Sequence, residues 1–160
     1  MRLTLWTDYA LRTLIYLGTK KGLATITEIA ENFDIANTHL TKVVNKLSRQ
    51  DYVETYRGRA GGIKLARAPE LIRVGAVVRN TEEELAVMGC LAGAQFCRID
   101  GCCVLRGALR KATHAFLQTL DNYTLADLLT PHARLAQSLG ITAEAGGRAS
   151  FSSSRSGRTN

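Results

Sequence analysis

Apolar residues recur at helical spacing from the start of the chain. Leu3, Trp6, Ala10, Leu14 and Leu17 fall on one side of a helix drawn over residues 3–19, which predicts an amphipathic helix. Gly18 and Gly22 bracket its expected exit. Thr25-Ile-Thr-Glu28 carries the Thr and Glu of a capping box, so a short helix is predicted from there through Phe33. Asp34-Ile-Ala-Asn37 is turn chemistry. A further helix is predicted from Thr38 to Gln50, with Leu40, Val43, Val44 and Leu47 at i, i+3, i+4 and i+7. Two short helices joined by a tight turn predict a helix-turn-helix.

The period then changes. Tyr52-Val-Glu-Thr-Tyr56 is rich in aromatic and β-branched residues, and Ile63-Lys-Leu-Ala-Arg67 alternates. The Arg57–Gly62 stretch between them carries the glycines a hairpin loop needs. A β-hairpin directly after a helix-turn-helix is a wing. Pro69 ends it, and a helix is expected over Glu70–Thr81. Residues 90–103 lack periodicity and read as a loop. From Val104 a stripe of Leu105, Ala108, Leu109, Ala112, Ala115, Phe116 and Leu120 predicts a long helix with small residues near its middle, suited to pairing with a copy of itself. Thr124–Leu129 is expected as a short helix, separated by Pro131 from a last turn. The Ser-, Gly- and Arg-rich end is expected to be disordered. The fold class is thus mainly α. A winged helix-turn-helix spans 1–81, a cysteine-bearing loop 82–103, a dimerisation helix with a C-terminal helix 104–141, and a disordered tail 142–160.

Charge sharpens the picture. The chain has 160 residues and a net charge of +7. Residues 1–80 hold 13 Lys and Arg against 7 Asp and Glu, and 42–67 hold 7 against 2, whereas 81–160 hold 8 against 7. A basic surplus concentrated over the helix-turn-helix and hairpin suggests a polyanion partner. Asp8 and Arg12 interrupt the apolar opening, no cleavage pattern follows, and no apolar run approaches membrane-spanning length. A cytoplasmic protein with no membrane partner is expected, in which clustered cysteines bind metal or sense redox state rather than form disulfides.

With the stripe of the 38–50 helix facing the core, Thr38, His39, Thr41, Lys42, Asn45, Lys46 and Arg49 point outward. Lys and Arg pair with phosphates, and Asn, Thr and His reach base edges in the major groove. A helix face of this kind is ordinarily just solvated; the preceding helix and the following hairpin raise it to a candidate reader of double-stranded DNA. Arg57 and Arg59, on a thin glycine loop, can enter a minor groove or grip the backbone. Gly58, Gly61 and Gly62 form no dinucleotide fingerprint, since no helix opens after them.

Four cysteines, Cys90, Cys97, Cys102 and Cys103, lie within fourteen residues. The Cys90-x6-Cys97 and Cys97-x5-Cys103 gaps are wider than the C-x2–4-C pairs that structural zinc sites use, and the adjacent Cys102 and Cys103 cannot easily both ligate one ion. Iron–sulfur clusters accept wider spacing. Cysteines buried as small hydrophobes are the bland alternative. Taken alone, Asp8 is a carboxylate favoured by a helix N-terminus and solvated. His114 is expected to be exposed, His132 has no evident partner, and Cys102 is an idle thiol, a resolving thiol or a substitute ligand.

The opening Met1–Arg12, the wing Gly58–Ala66, the cysteines, Cys103–Ala112 and Leu120–Leu128 together resemble the nitric-oxide-sensing members of the winged-helix iron–sulfur repressors, a family that also includes IscR and RirA. The resemblance covers about residues 1–141. It implies a homodimer on a partly palindromic operator and a cluster, 4Fe–4S rather than 2Fe–2S, held by Cys90, Cys97 and Cys103. The fourth ligand it implies is Asp8 of the partner subunit. Nitric oxide as the signal and control of nitrosative-stress genes follow from the same resemblance. The first cysteine gap is six residues where the family has about five or fewer. The Leu-Arg-Gly register after Cys103 selects that residue over Cys102. A regulator of iron or cluster supply would share this fold and ligand set. A zinc-stabilised interaction module and a thiol redox protein are the alternatives of another class.

Overall fold

The computed structural model describes residues 2–58, 60–88, 91, 98–99 and 102–141. Cys90, Cys97 and Arg59 lie outside the described residues, as does the expected tail 142–160.

Helix α1 spans Leu5–Lys20, two residues later at its start than the apolar spacing suggested, because Thr4 caps it by accepting from the Thr7 amide. Lys21 ends it in the left-handed conformation (φ 54°), so a lysine, not a glycine, makes the turn. Gly18 lies inside the helix, where a Cβ would collide with the Leu129 side chain. Helix α2, Ile26–Phe33, opens on the Thr25/Glu28 capping box. Glu28 also receives the Tyr16 hydroxyl at 2.7 Å and Lys20 Nζ at 2.6 Å. Burial pushes its carboxyl up, but the hydrogen bonds from Lys20 and Tyr16 outweigh this and hold it below the usual range. Helix α3, Asn37–Arg49, buries Leu40, Val43, Val44 and Leu47, the stripe read from the sequence.

Strands β1, Val53–Tyr56, and β2, Gly62–Leu65, pair antiparallel with Val53 opposite Leu65 and Tyr56 opposite Gly62. Gly58 takes a φ of 110° in the connecting loop. Gly62 admits a third strand-like contact: Ala24 and Ile63 exchange hydrogen bonds of 3.0 and 2.8 Å, and a Cβ at Gly62 would stand 2.8 Å from the Ala24 carbonyl oxygen.

The helix expected over Glu70–Thr81 is two elements. Pro69–Leu71 forms a single 3-10 turn, and helix α4 begins only at Val74 and runs to Thr81. Ile72 and Arg73 between them are extended because they pair with a distant segment: Leu125 N donates to Ile72 O at 2.7 Å and Val74 N to Tyr123 O at 2.9 Å. Helix α5 spans Val104–Asp121, α6 Leu125–Leu128 with a Thr124/Asp127 capping box, and α7 His132–Ser138.

One core joins α1, α2, α3, the hairpin, α4 and α6. Ala10, Leu14, Leu17, Ile29, Leu40, Leu47, Val53, Ile63, Ile72, Val77 and Leu125 are buried in it. Helix α5 is different, with no fully buried residue; Val104 is 85% and Leu105 57% exposed. Its C-terminal end is fixed to α4. Arg79 Nη1 donates to Asp121 Oδ1 and Arg73 Nη1 to Asp121 O, both at 2.7 Å. A Cβ at Gly75 would overlap the Asp121 carboxylate and stand 3.0 Å from its backbone nitrogen, so only glycine lets the helices approach this closely.

Candidate functional site

The outer face of α3 is largely as the sequence suggested. Thr38, His39, Thr41, Lys42, Asn45 and Arg49 are exposed. Thr41 Oγ1 donates to the Asn37 carbonyl at 2.7 Å, so its hydroxyl is engaged by the helix itself. No side chain caps α3 at Ala36, which leaves first-turn N–H groups for an acceptor such as a phosphate. Arg57 is exposed on the wing.

Lys46 is placed differently. It is half-buried, its Nζ lies 5.5 Å from the centroid of the Trp6 ring, and it donates to the Thr81 carbonyl at 3.5 Å. Its ammonium is thus turned toward α1 and α4. Two other cations of the hairpin are also engaged within the chain. Lys64 lies 4.8 Å from the Tyr56 ring centroid and 3.5 Å from Glu54, and Arg67 donates to Gln50 O at 2.8 Å over the Tyr52 ring.

Cys103 is the N-cap of α5. Its Sγ accepts from the Arg106 amide at 3.4 Å, and the residue is half-buried. The thiolate is the form in which a cysteine binds metal. Cys102 is exposed, and its Sγ donates to the Ile99 carbonyl at 3.5 Å. Asp8 lies in the first turn of α1 with its side chain 40% exposed, and Arg12 Nε stands 2.9 Å from its carboxylate. Among the described residues no three Cys, His, Asp or Glu side chains converge, so the expected ligand set is not assembled from them alone. The donors that are described fit a metal group by chemistry: a helix-capping thiol and a partly exposed carboxylate.

Three contacts escaped the sequence. The first is the Lys46–Trp6 pair. The second is Glu82, the first residue after α4, which reaches the N-terminus of α1. Glu82 Oε1 accepts from Thr4 N at 2.7 Å, from Thr4 Oγ1 at 3.0 Å and from Thr7 Oγ1, and Thr7 and Thr81 share a hydroxyl hydrogen bond of 2.8 Å. Burial pushes the Glu82 carboxyl up, but the hydrogen bonds from Thr7 and Thr4 outweigh it and hold the group below its ordinary range, so it is ionised at neutral pH. Third, His132 Nε2 lies 3.1 Å from the Thr19 carbonyl, so it has a partner after all, whereas His114 is exposed as expected. No helix among the described residues is long and apolar enough to cross a membrane.

A reading helix packed behind a capping-box helix, followed by a two-stranded wing, defines a winged helix-turn-helix DNA-binding regulator. Residues 3–131 match the Rrf2 family, described as iron-dependent transcriptional regulators, and the chain belongs to that family. It is 48% identical over 138 residues to the HTH-type transcriptional regulator NsrR of Geobacillus kaustophilus, covering 84% of this chain and 94% of that protein. The NsrR of Bacillus licheniformis is 46% identical over 132 residues, with 81% and 92% covered. Among solved structures, CymR, the global cysteine regulator of B. subtilis, superposes with a TM-score of 0.69 at 23% identity, over 82% of this chain and 98% of that one. IscR of T. potens gives 0.64 at 25% identity, over 82% and 88%. The chain is a transcriptional regulator and not an enzyme, which sets aside the thiol-oxidoreductase reading and that of an interaction module without DNA binding.

Proposed function

We propose that the chain is a homodimeric repressor of nitrosative-stress genes that senses nitric oxide. In this reading Cys90, Cys97 and Cys103 hold an iron–sulfur cluster, 4Fe–4S, together with Asp8 of the partner subunit. Thr38, His39, Thr41, Lys42, Asn45 and Arg49 of α3, with Arg57 and Arg59 of the wing, contact double-stranded operator DNA. When bound, the cluster supplies an iron centre that reacts with nitric oxide. The observation that carries the reading is the juxtaposition, in one small chain, of an exposed reading helix with a thiol capping an unburied helix, in a sequence 46–48% identical to NsrR proteins.

The chain's own residues supply the switch. The Asp8 carboxylate is a hard oxygen donor, weaker toward sulfur-dressed iron than a fourth thiolate. Arg12, 2.9 Å away, competes for the same carboxylate and holds it when it is not ligating. Were Asp8 to hold the metal it would leave Arg12, and the first turn of α1, which carries it, is the segment that would feel the change. The unburied apolar face of α5, led by Val104 and Leu105, is the surface that a second copy covers.

An operator-shift titration with nitric oxide under anaerobic conditions tests this. Cluster-loaded protein is expected to bind and stoichiometric nitric oxide to release it. Asp8→Ala is expected to bind poorly or to respond abnormally. Equal binding by loaded, cluster-free and nitric-oxide-treated protein would rule the mechanism out. A regulator of iron or cluster supply is the second reading, favoured by the family's iron dependence and by the likeness to IscR; it gains if cluster loading changes binding but nitric oxide does not.

The DNA face makes its own prediction. Lys42→Ala should weaken binding to any sequence and reduce the log–log salt slope by about 0.9, the value for one phosphate contact. Asn45→Ala should instead change sequence preference. An unchanged slope in the Lys42 variant would mean that this face of α3 does not meet the backbone of DNA.

A further inference from the structure

Glu82 and Lys46 join three elements that the fold keeps separate in sequence. Glu82 opens the 82–103 stretch that carries Cys90 and Cys97. Its carboxylate sits on the N-terminus of α1, where unpaired amides and the helix dipole favour an anion. The held turn contains Thr4 and Thr7, and Asp8 follows directly. Trp6, in the same turn, lies beneath the Lys46 ammonium of α3, and Lys46 reaches the Thr81 carbonyl, one residue before Glu82. The Lys46 and Glu82 charges also attract one another. A displacement of the α1 turn or of the stretch after α4 therefore reaches the reading helix through one anion, one indole ring and one ammonium.

We propose that Glu82 and Lys46 are positioning residues that couple the cysteine-bearing stretch to the reading helix, Glu82 by latching it to the first turn of α1 and Lys46 by tying α3 to that same turn through Trp6. The proposal rests on the reading above, in which Asp8 in this turn ligates metal. It assigns Lys46 a role distinct from phosphate contact. Lys42 meets DNA, and Lys46 sets where α3 stands. Neither residue touches the cluster in this scheme, so their loss leaves the sensor loaded but disconnected.

The test uses the full chain as wild type, Glu82→Ala and Lys46→Met, the methionine keeping an apolar stem over Trp6 without the charge. Operator affinity is measured with and without cluster, loading being followed by visible absorption. Wild-type protein should show a loaded-to-free affinity ratio in the range of about 5–150-fold usual for allosteric coupling. In both variants the ratio should fall to within about twofold of one. The salt slope of Lys46→Met should match wild type, whereas a phosphate contact would lose about 0.9. A ratio preserved in both variants, or a slope reduced by that amount in Lys46→Met, overturns the proposal. A wild-type ratio of one indicts the sensing reading instead. The latch is then judged by hydrogen exchange on cluster-free protein, which also serves should a variant fail to load. Both variants should speed amide exchange over residues 43–49 by roughly tenfold; unchanged exchange there overturns the latch.

Discussion

Replacing Cys103 with Ala is expected to give protein that holds no cluster, binds operator only as weakly as cluster-free wild type and shows no response to nitric oxide. The residue is singled out by its place in the fold. It caps α5, and its sulfur already accepts the Arg106 amide at 3.4 Å. In the proposed ligand set, alanine would remove one of few thiolates and leave an iron without its donor. It also removes the cap from a helix that has no buried residue to hold it. Cys102→Ala is the matched control, since its sulfur is exposed and turned back to the Ile99 carbonyl; that variant should keep its colour. Visible absorption with iron and sulfide analysis after anaerobic purification decides between them. A colourless Cys102 variant beside a coloured Cys103 variant would exchange their roles.

Leu47→Ala is expected to cost about 2–5 kcal/mol, as large-to-small changes at closed core positions do. Leu47 is fully buried near the end of α3, and its carbonyl accepts the Tyr52 amide at 3.0 Å, which leads the chain from the reading helix into β1. The void would therefore open where α3 and the wing are held together. For a chain of this size the melting temperature should fall by roughly 5–20 °C, read by thermal denaturation. Operator affinity should fall even below that transition, because the two elements proposed to contact DNA lose their shared support. A loss under 1 kcal/mol would show that the site collapses to fill the space and that the core tolerates repacking there.

Local pattern revealed the elements whose causes are local. The Thr25/Glu28 box, the α3 stripe and the change of period into the hairpin each lie within a dozen residues, and each appears in the structure with boundaries shifted by only a residue or two. The split of the Glu70–Thr81 segment was hidden because Ile72 and Arg73 are extended by pairing with residues 123–125, a partner no local periodicity can show. His132 is satisfied by Thr19 for the same reason. Lys46 was misleading in a different way. It sits at the edge of a clean amphipathic stripe, where its direction depends on Trp6, a ring from another helix. Asp8 marks the limit of residue-by-residue reading, which gave a solvated carboxylate. One chain pairs it with Arg12, and only the family resemblance raises it to a ligand.

The way α5 is anchored decides how motion travels. Arg73, Arg79 and the close approach at Gly75 make a pivot at Asp121, while Cys103 stands at the opposite end of 18 helical residues. That lever is about 27 Å long at 1.5 Å per residue, so a 1 Å shift at the sulfur end turns it through only about 2°. Displacement shrinks toward the pivot, and α4 receives almost none of it. The long helix is therefore a damper that keeps register, and in the proposed switch the stroke would take the short path across the first turn of α1.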